Sequence, residues 1–132
     1  MDPLQTAKEK FLADTFPQSL GIQLLDLAPG VAKVAMTLTE AMLNFHGIGH
    51  GGAIFTLADT ALGLASNSHG QKAVALSVTI NYISPALPGS KLIATAREQY
   101  TTRRTGVYDI TIMDESERVI ALARGITFQR ED

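Results

Sequence analysis

Only one segment of this chain has the spacing of a long buried helix, and that limits its fold more than any other feature. Across residues 51–68, Ile54, Leu57, Ala58, Ala61, Leu62 and Ala65 recur at intervals of three and four, the stripe a helix buries against a neighbour. Gly70 sits where a C-terminal cap is expected. Before this segment, residues 4–16 suit a shorter helix stopped by Pro17. Residues 22–27 read as a strand, and Ala28-Pro29-Gly30 turns the chain into a second strand over 31–38 with period-two alternation. After the long helix the chain is strand after strand: 73–83, 91–101, 107–113 and 118–128. Each break carries turn chemistry, at Ser84-Pro85, Pro88-Gly89, Arg104-Thr105-Gly106 and Asp114-Glu115-Ser116-Glu117. Short connections of this kind make an antiparallel sheet, and a sole long helix must cover one of its faces. The expected architecture is α+β, one antiparallel sheet of five or six strands wrapped around a long central helix, with residues 1–132 as a single domain.

The same helix carries the chemistry. It is opened by Asn44-Phe45-His46-Gly47-Ile48-Gly49-His50-Gly51-Gly52, a glycine-rich loop bearing two histidines, and Asp59 follows two turns in. Gly52, Thr56, Asp59 and Gly63 make a second stripe, small and polar, on roughly the opposite side from the apolar one. Glycine inside a helix is disfavoured by about 1 kcal/mol against alanine, so Gly63 points to a close approach. That approach is tight packing within the fold, or a substrate or second subunit lying along the face. Asp is a poor helix former, and Asp59 is not at the N-cap, where its presence would be explained by capping. A surface salt bridge is the plain explanation; its apolar neighbours favour a functional one. Free N–H groups at a helix start bind anions and developing negative charge. A carboxylate beside such amides is the minimum equipment for adding water to an activated carbonyl.

Composition narrows the function classes. There is no cysteine, which removes disulfides, thiolate metal sites and a cysteine nucleophile together. A net charge of −2 argues against nucleic acid as a partner. The first ten residues, with Lys8, Glu9 and Lys10, do not read as a signal peptide, and no apolar run approaches the roughly 20 residues of a membrane span. A cytoplasmic location is expected, without membrane association. At 45% hydrophobic residues, burial at a subunit interface is plausible as well as a core. There is no Gly-x-Ser-x-Gly elbow, so a serine-hydrolase route has no support.

Taken with the strand order, the segment from Asn44 to Asp59 resembles the hotdog-fold acyl-CoA thioesterases, most nearly the PaaI-type proteins of phenylacetate degradation. The resemblance extends over nearly the whole chain: Leu43-Asn44, His50-Gly51-Gly52, Phe55-Thr56-Leu57-Ala58-Asp59-Thr60-Ala61, Asn67-Ser68 and Thr105-Gly106-Val107-Tyr108-Asp109-Ile110. It implies a homodimer joined sheet to sheet at the edges, or a homotetramer of two such dimers, with active sites between subunits. It implies Asp59 as the catalytic carboxylate, either general base or nucleophile, and the Gly51 N–H as donor to the thioester oxygen. Asn44 and His50 would orient the loop and substrate, and Ser77 would position water. Coenzyme A would enter as part of the substrate, and no separate cofactor is implied. The thiolate of coenzyme A leaves readily, so one acid and one amide suffice without a full triad.

Other residues leave alternatives open. Arg103 and Arg104 sit at a turn, as a solvated hairpin tip or as a clamp for the phosphates of coenzyme A. His46 and His50 have metal-ligand spacing only on a helix, and the glycines between them argue for a loop and no metal. His69 suits the C-terminal end of the helix dipole. Phe16, Phe45 and Tyr82 line an acyl pocket or fill the core. Two other functions compete with hydrolysis of aryl- or medium-chain acyl-CoA. One is hydration or dehydration of an enoyl-CoA, whose hotdog enzymes usually carry a proline-glycine step where this chain reads His50-Gly51-Gly52. The other is non-catalytic binding of acyl-CoA.

Overall fold

The computed structural model describes residues 2–130. Two short helices come first, α1 (Pro3–Ala13) and α2 (Thr15–Ser19), followed by strands β1 (Gln23–Ala28) and β2 (Val31–Thr37). A turn of 3₁₀ helix (Glu40–Met42) and a loop lead into the long helix α3 (Gly51–Ser66). Four strands complete the fold: β3 (Lys72–Tyr82), β4 (Lys91–Thr101), β5 (Thr105–Met113) and β6 (Val119–Arg130). All six strands form one antiparallel sheet in the order β1-β2-β4-β5-β6-β3, with α3 packed against every strand. This is the α+β arrangement expected from the spacing, with six strands.

The apolar stripe of α3 is the centre of the core. Ile54, Leu57, Ala58, Ala61, Leu62 and Ala65 are all buried, against Val34, Met36, Leu92, Ala94, Ile110, Ile112 and Ile120 from the strands. Small residues on the sheet let the helix come close. A methyl group at Gly125 on β6 would stand 2.6 Å from Leu62 Cδ2 and 2.9 Å from Cδ1, so Leu62 fills the space a β-carbon would take. The opposite face of α3 stays open, with Gly52, Asp59 and Gly63 exposed. Strand β3 lies at one edge of the sheet, with Val74 and Leu76 exposed and a register shift between Ala75 and Ser77.

Several local expectations are corrected. Pro17 does not stop the first helix; the break falls at Asp14, whose extended backbone (φ −82°, ψ 103°) ends α1. Pro17 then lies within α2, close enough to its start that the missing N–H is not needed. The long helix ends at Ser66 with Asn67 as its C-cap, so Gly70 is no cap but part of the turn into β3, at φ +92°. His69 therefore lies beyond the helix, and its Nε2 is 2.6 Å from Glu98 Oε2 on β4, a side-chain partner in place of the helix dipole. Strand β5 begins at Thr105, inside the expected turn, and β6 runs on to Arg130 because it continues to pair with β3 as far as Lys72. Phe16, Phe45 and Tyr82 are exposed and do not belong to the core.

Leu62→Ala is expected to destabilise the fold by about 2–5 kcal/mol, and Gly125→Ala by about 1–3 kcal/mol through overpacking. In denaturant unfolding the double variant should lose less than the two losses added together, because shortening Leu62 vacates the space the new methyl needs.

Candidate active site

The loop before α3 is built by its own side chains. Asn44 Oδ1 accepts from the N–H groups of His46 (2.9 Å) and Ile48 (3.3 Å), and the Asn44 N–H donates to the Ile48 carbonyl (2.8 Å). These bonds close a tight turn that passes through Gly47 at φ +77°. Leu43 and Gly49 form an isolated bridge, and the Gly49 N–H reaches the Ala86 carbonyl at 2.8 Å, tying the loop to the β3–β4 connection. His50 is the N-cap of α3: its Nδ1 accepts from the Gly52 N–H at 2.9 Å, which puts the proton of the neutral ring on Nε2. Gly51 is then the first helical residue. Its N–H is one of the amides a helix start leaves without an internal acceptor. On its other side, Tyr82 donates from its hydroxyl to the Gly51 carbonyl at 2.9 Å, and its ring lies where a Gly51 side chain would go.

Asp59 lies eight positions further on, about 12 Å along the helix axis at 1.5 Å per residue. On its stripe Thr56 is satisfied by the Gly52 carbonyl (2.8 Å), and neighbouring Thr60 by the Thr56 carbonyl (2.7 Å). The Asp59 carboxylate has no salt bridge or hydrogen bond among the described residues, so the surface-ion-pair explanation fails. It lines a cavity of about 350 Å³ between the N-terminal arm and the open face of α3. Ala7, Phe11, Pro17, Leu64 and Ala73 supply apolar wall, and Asp14, Lys10 and Lys72 bring charge. Gly63 lines the cavity too, and a β-carbon there would meet nothing within 4 Å. Within the chain, then, no tight packing explains Gly63; it keeps space open. Partial burial of the carboxyl in this concavity, and secondarily the negative charge of Asp14, push Asp59 above its ordinary value of 3.8.

The remaining candidates lie elsewhere on the chain. Ser77 is exposed on edge strand β3, beside its bulge and outside the cavity. Arg103 and Arg104 are at the exposed β4–β5 turn, also outside it. Phe45 stacks edge-on against His46, with ring centroids 4.4 Å apart. Among the described residues no three His, Asp or Glu side chains form a metal-binding group. Asn67 clamps the far end of α3 to β3, donating to the Gly63 (2.8 Å) and Ala73 (3.1 Å) carbonyls and accepting from the Ala73 N–H (3.1 Å). Sequence reasoning missed the role of α1 and α2 as a wall, because a contact so distant along the chain leaves no periodic signal. It also missed Tyr82 as the brace of the helix start.

Comparison with known proteins identifies the family and the fold. Residues 46–121 match the family described as Thioesterase superfamily. The chain is 42% identical over 121 residues to the acyl-coenzyme A thioesterase PaaI of Escherichia coli, covering 92% of this chain and 86% of that protein. The solved structure of the E. coli PaaI protein superposes with a TM-score of 0.95 at 40% identity, over 98% of this chain and 94% of that one. A Streptococcus mutans protein, solved bound to acetyl CoA, superposes with a TM-score of 0.80 at 32% identity, over 83% and 88% of the two chains.

The raised proton affinity of Asp59 has a consequence for stability. A carboxyl whose pKa is higher folded than unfolded makes the fold gain stability as pH falls from that raised value toward 3.8. Above the raised value its unpaired charge destabilises the fold. Asp59→Asn is therefore expected to raise Tm at neutral pH, and thermal melts across pH should show the gain shrinking as the solution is acidified from the raised value toward 3.8.

Proposed function

The chain belongs to the thioesterase superfamily, in its PaaI-type hotdog branch, and on that premise we propose how it hydrolyses acyl-CoA to free acid and coenzyme A. Asp59 is the general base. It takes a proton from water as the water oxygen bonds to the thioester carbonyl carbon. The resulting oxyanion is held by the N–H of Gly51, collapses by breaking the carbon–sulfur bond, and the departing thiolate takes up the proton from Asp59. General-base help of this kind contributes on the order of 10²–10⁴-fold and one oxyanion donor about 10²–10³-fold. Asn44 and His50 serve by holding the loop and helix start that aim the Gly51 N–H. A free carboxylate with raised proton affinity supports the base role over direct attack. No separate cofactor is required, since coenzyme A arrives with the acyl group.

One observation carries this reading further: in a single chain Asp59 and the Gly51 N–H are about 12 Å apart along one helix. Water, carbonyl carbon and carbonyl oxygen of one thioester lie within a few ångströms, so both groups cannot serve one thioester from one chain. A complete site therefore combines Asp59 of one subunit with Gly51 of another, in a homodimer or a homotetramer of two dimers. Edge strand β3, with Val74 and Leu76 exposed, supports sheet-to-sheet joining of two copies. Ser77 lies on that edge, where it can position water. Arg103 and Arg104 are free at their turn to meet the phosphates of coenzyme A. A largely apolar cavity of about 350 Å³ suits an aryl or medium-chain acyl group. Among the described residues no helix is long and apolar enough to cross a membrane, and the reading assigns the enzyme to the cytoplasm.

Release of free thiol from phenylacetyl-CoA is expected to fall at least 10²-fold in Asp59→Ala. Gly51→Pro removes the N–H at a helix position where proline is tolerated, and His50 before it already has an extended backbone (φ −67°, ψ 133°). Because a β-carbon there would stand 3.2 Å from the Tyr82 ring, Gly51→Ala, which keeps the N–H, is the control for that contact. Asp59→Ala and Gly51→Pro should each be nearly inactive alone. Mixed one to one and reassembled, they should recover about a quarter of wild-type activity, because half the dimers then hold one intact site of two. No recovery on mixing, with mixed dimers verified, would place both groups in one chain. Gly63→Leu should cut kcat/KM for bulky acyl groups while sparing acetyl-CoA, measured over a panel of acyl sizes.

A further inference from the structure

The N-terminal arm brings a charge into the cavity for which its own fold has no use. Asp14 is the N-cap of α2, where an Asp usually accepts a hydrogen bond from the N–H of the second or third helical residue. The third residue here is Pro17, which has no N–H, and the Asp14 carboxylate makes no capping bond. It lines the same cavity as Asp59. The other charged groups around that cavity are Lys10 on α1 and Lys72 at the start of β3, and no salt bridge joins either of them to Asp14 or Asp59.

We propose that Asp14 is a positioning residue for thioester hydrolysis, a second carboxylate delivered by the N-terminal arm that drives the proton of the attacking water onto Asp59. In the resting enzyme two like charges share one concavity and repel each other. As the water oxygen bonds to the carbonyl carbon, its proton neutralises Asp59 and relieves the repulsion, while the negative charge passes to an oxyanion stabilised by the partner subunit's Gly51 N–H. An interaction that is unfavourable in the ground state and relieved on the way to the transition state lowers the barrier without tightening substrate binding. Filling the cavity with an acyl group displaces water from between the two acids and strengthens the effect. The direction of the Asp59 shift, with Asp14 as its second cause, agrees with this arrangement.

The proposal rests on Asp59 being the base, and its test separates the two. The pH dependence of kcat and kcat/KM is measured with phenylacetyl-CoA for wild type, Asp14→Asn, Asp14→Glu and Asp59→Asn. Asp14→Asn should lower kcat several-fold with little change in KM, and move the acid limb to lower pH, since Asp59 ionises more readily without a negative neighbour. Asp14→Glu should keep the limb near that of wild type. Added salt should shift the wild-type limb in the same direction as Asp14→Asn and leave that variant's limb in place, because Asp14 is exposed and its field is screened. An unmoved limb in Asp14→Asn, an effect on KM alone, or a limb in Asp14→Glu that matches Asp14→Asn would overturn the proposal while an inactive Asp59→Asn left the base assignment standing. Wild-type turnover in Asp59→Asn would remove both.

Discussion

The contact between one helix stripe and the concave face of one sheet governs everything else in this molecule. Because α3 packs against every strand and Leu62 sits in the space a β-carbon of Gly125 would occupy, the helix cannot rotate without losing its core. Its rotation about its own axis decides which residues face away from the sheet. Gly52, Asp59 and Gly63 are those residues. An acid on an otherwise apolar helix is tolerated here because the stripe that holds the fold together lies on the other side. The same rigidity keeps Asp59 unpaired and its proton affinity raised, since no neighbouring cation is close enough to relax it.

The start of the helix is prepared by a different set of forces, all local and polar. Asn44 folds the loop onto itself, His50 caps the second amide, and Tyr82 holds the first carbonyl from the β3 end. What remains uncommitted is the N–H of Gly51. The fold thus leaves two reactive features on one helix, an amide at its start and an acid two turns on, each rigidly held and too far apart to meet on one small group. Two copies of such a helix, arranged antiparallel, would bring each acid to the other's amide. On the proposed mechanism, association of two chains is a condition of catalysis and more than a source of stability.

Much of this was legible in the residues. The buried stripe, the polar stripe, the loop, the helix start at Gly51 and the strands of the second half all follow from spacing and turn chemistry, because these signals are local. The acid stood out for the same reason: Asp59 had no capping role and apolar neighbours. The local pattern misleads at a helix break, at a long-range partner and at aromatic residues that the fold leaves on its surface. Pro17 suits a stop by its chemistry, but α1 ends at Asp14 and a second short helix accommodates the proline. His69 found Glu98 on β4 in place of a helix end. Phe16 and Phe45 stayed on the surface, and Tyr82 became a brace, none of which their aromatic character could announce.

By itself, then, the sequence determined which elements form and which side of the helix faces the core, because period and turn residues act over a few positions. It also narrowed the chemistry on offer, setting Asp59 on a helix that starts at a glycine amide and supplying neither cysteine nor a serine elbow. Only the tertiary structure decided what lies against Asp59. The N-terminal arm folds back over α3 to enclose the cavity and places Asp14 in it, a juxtaposition of residues far apart in the chain that no periodicity encodes. Burial and like-charge proximity are properties of that enclosure, and they set the proton affinity on which the proposed chemistry turns.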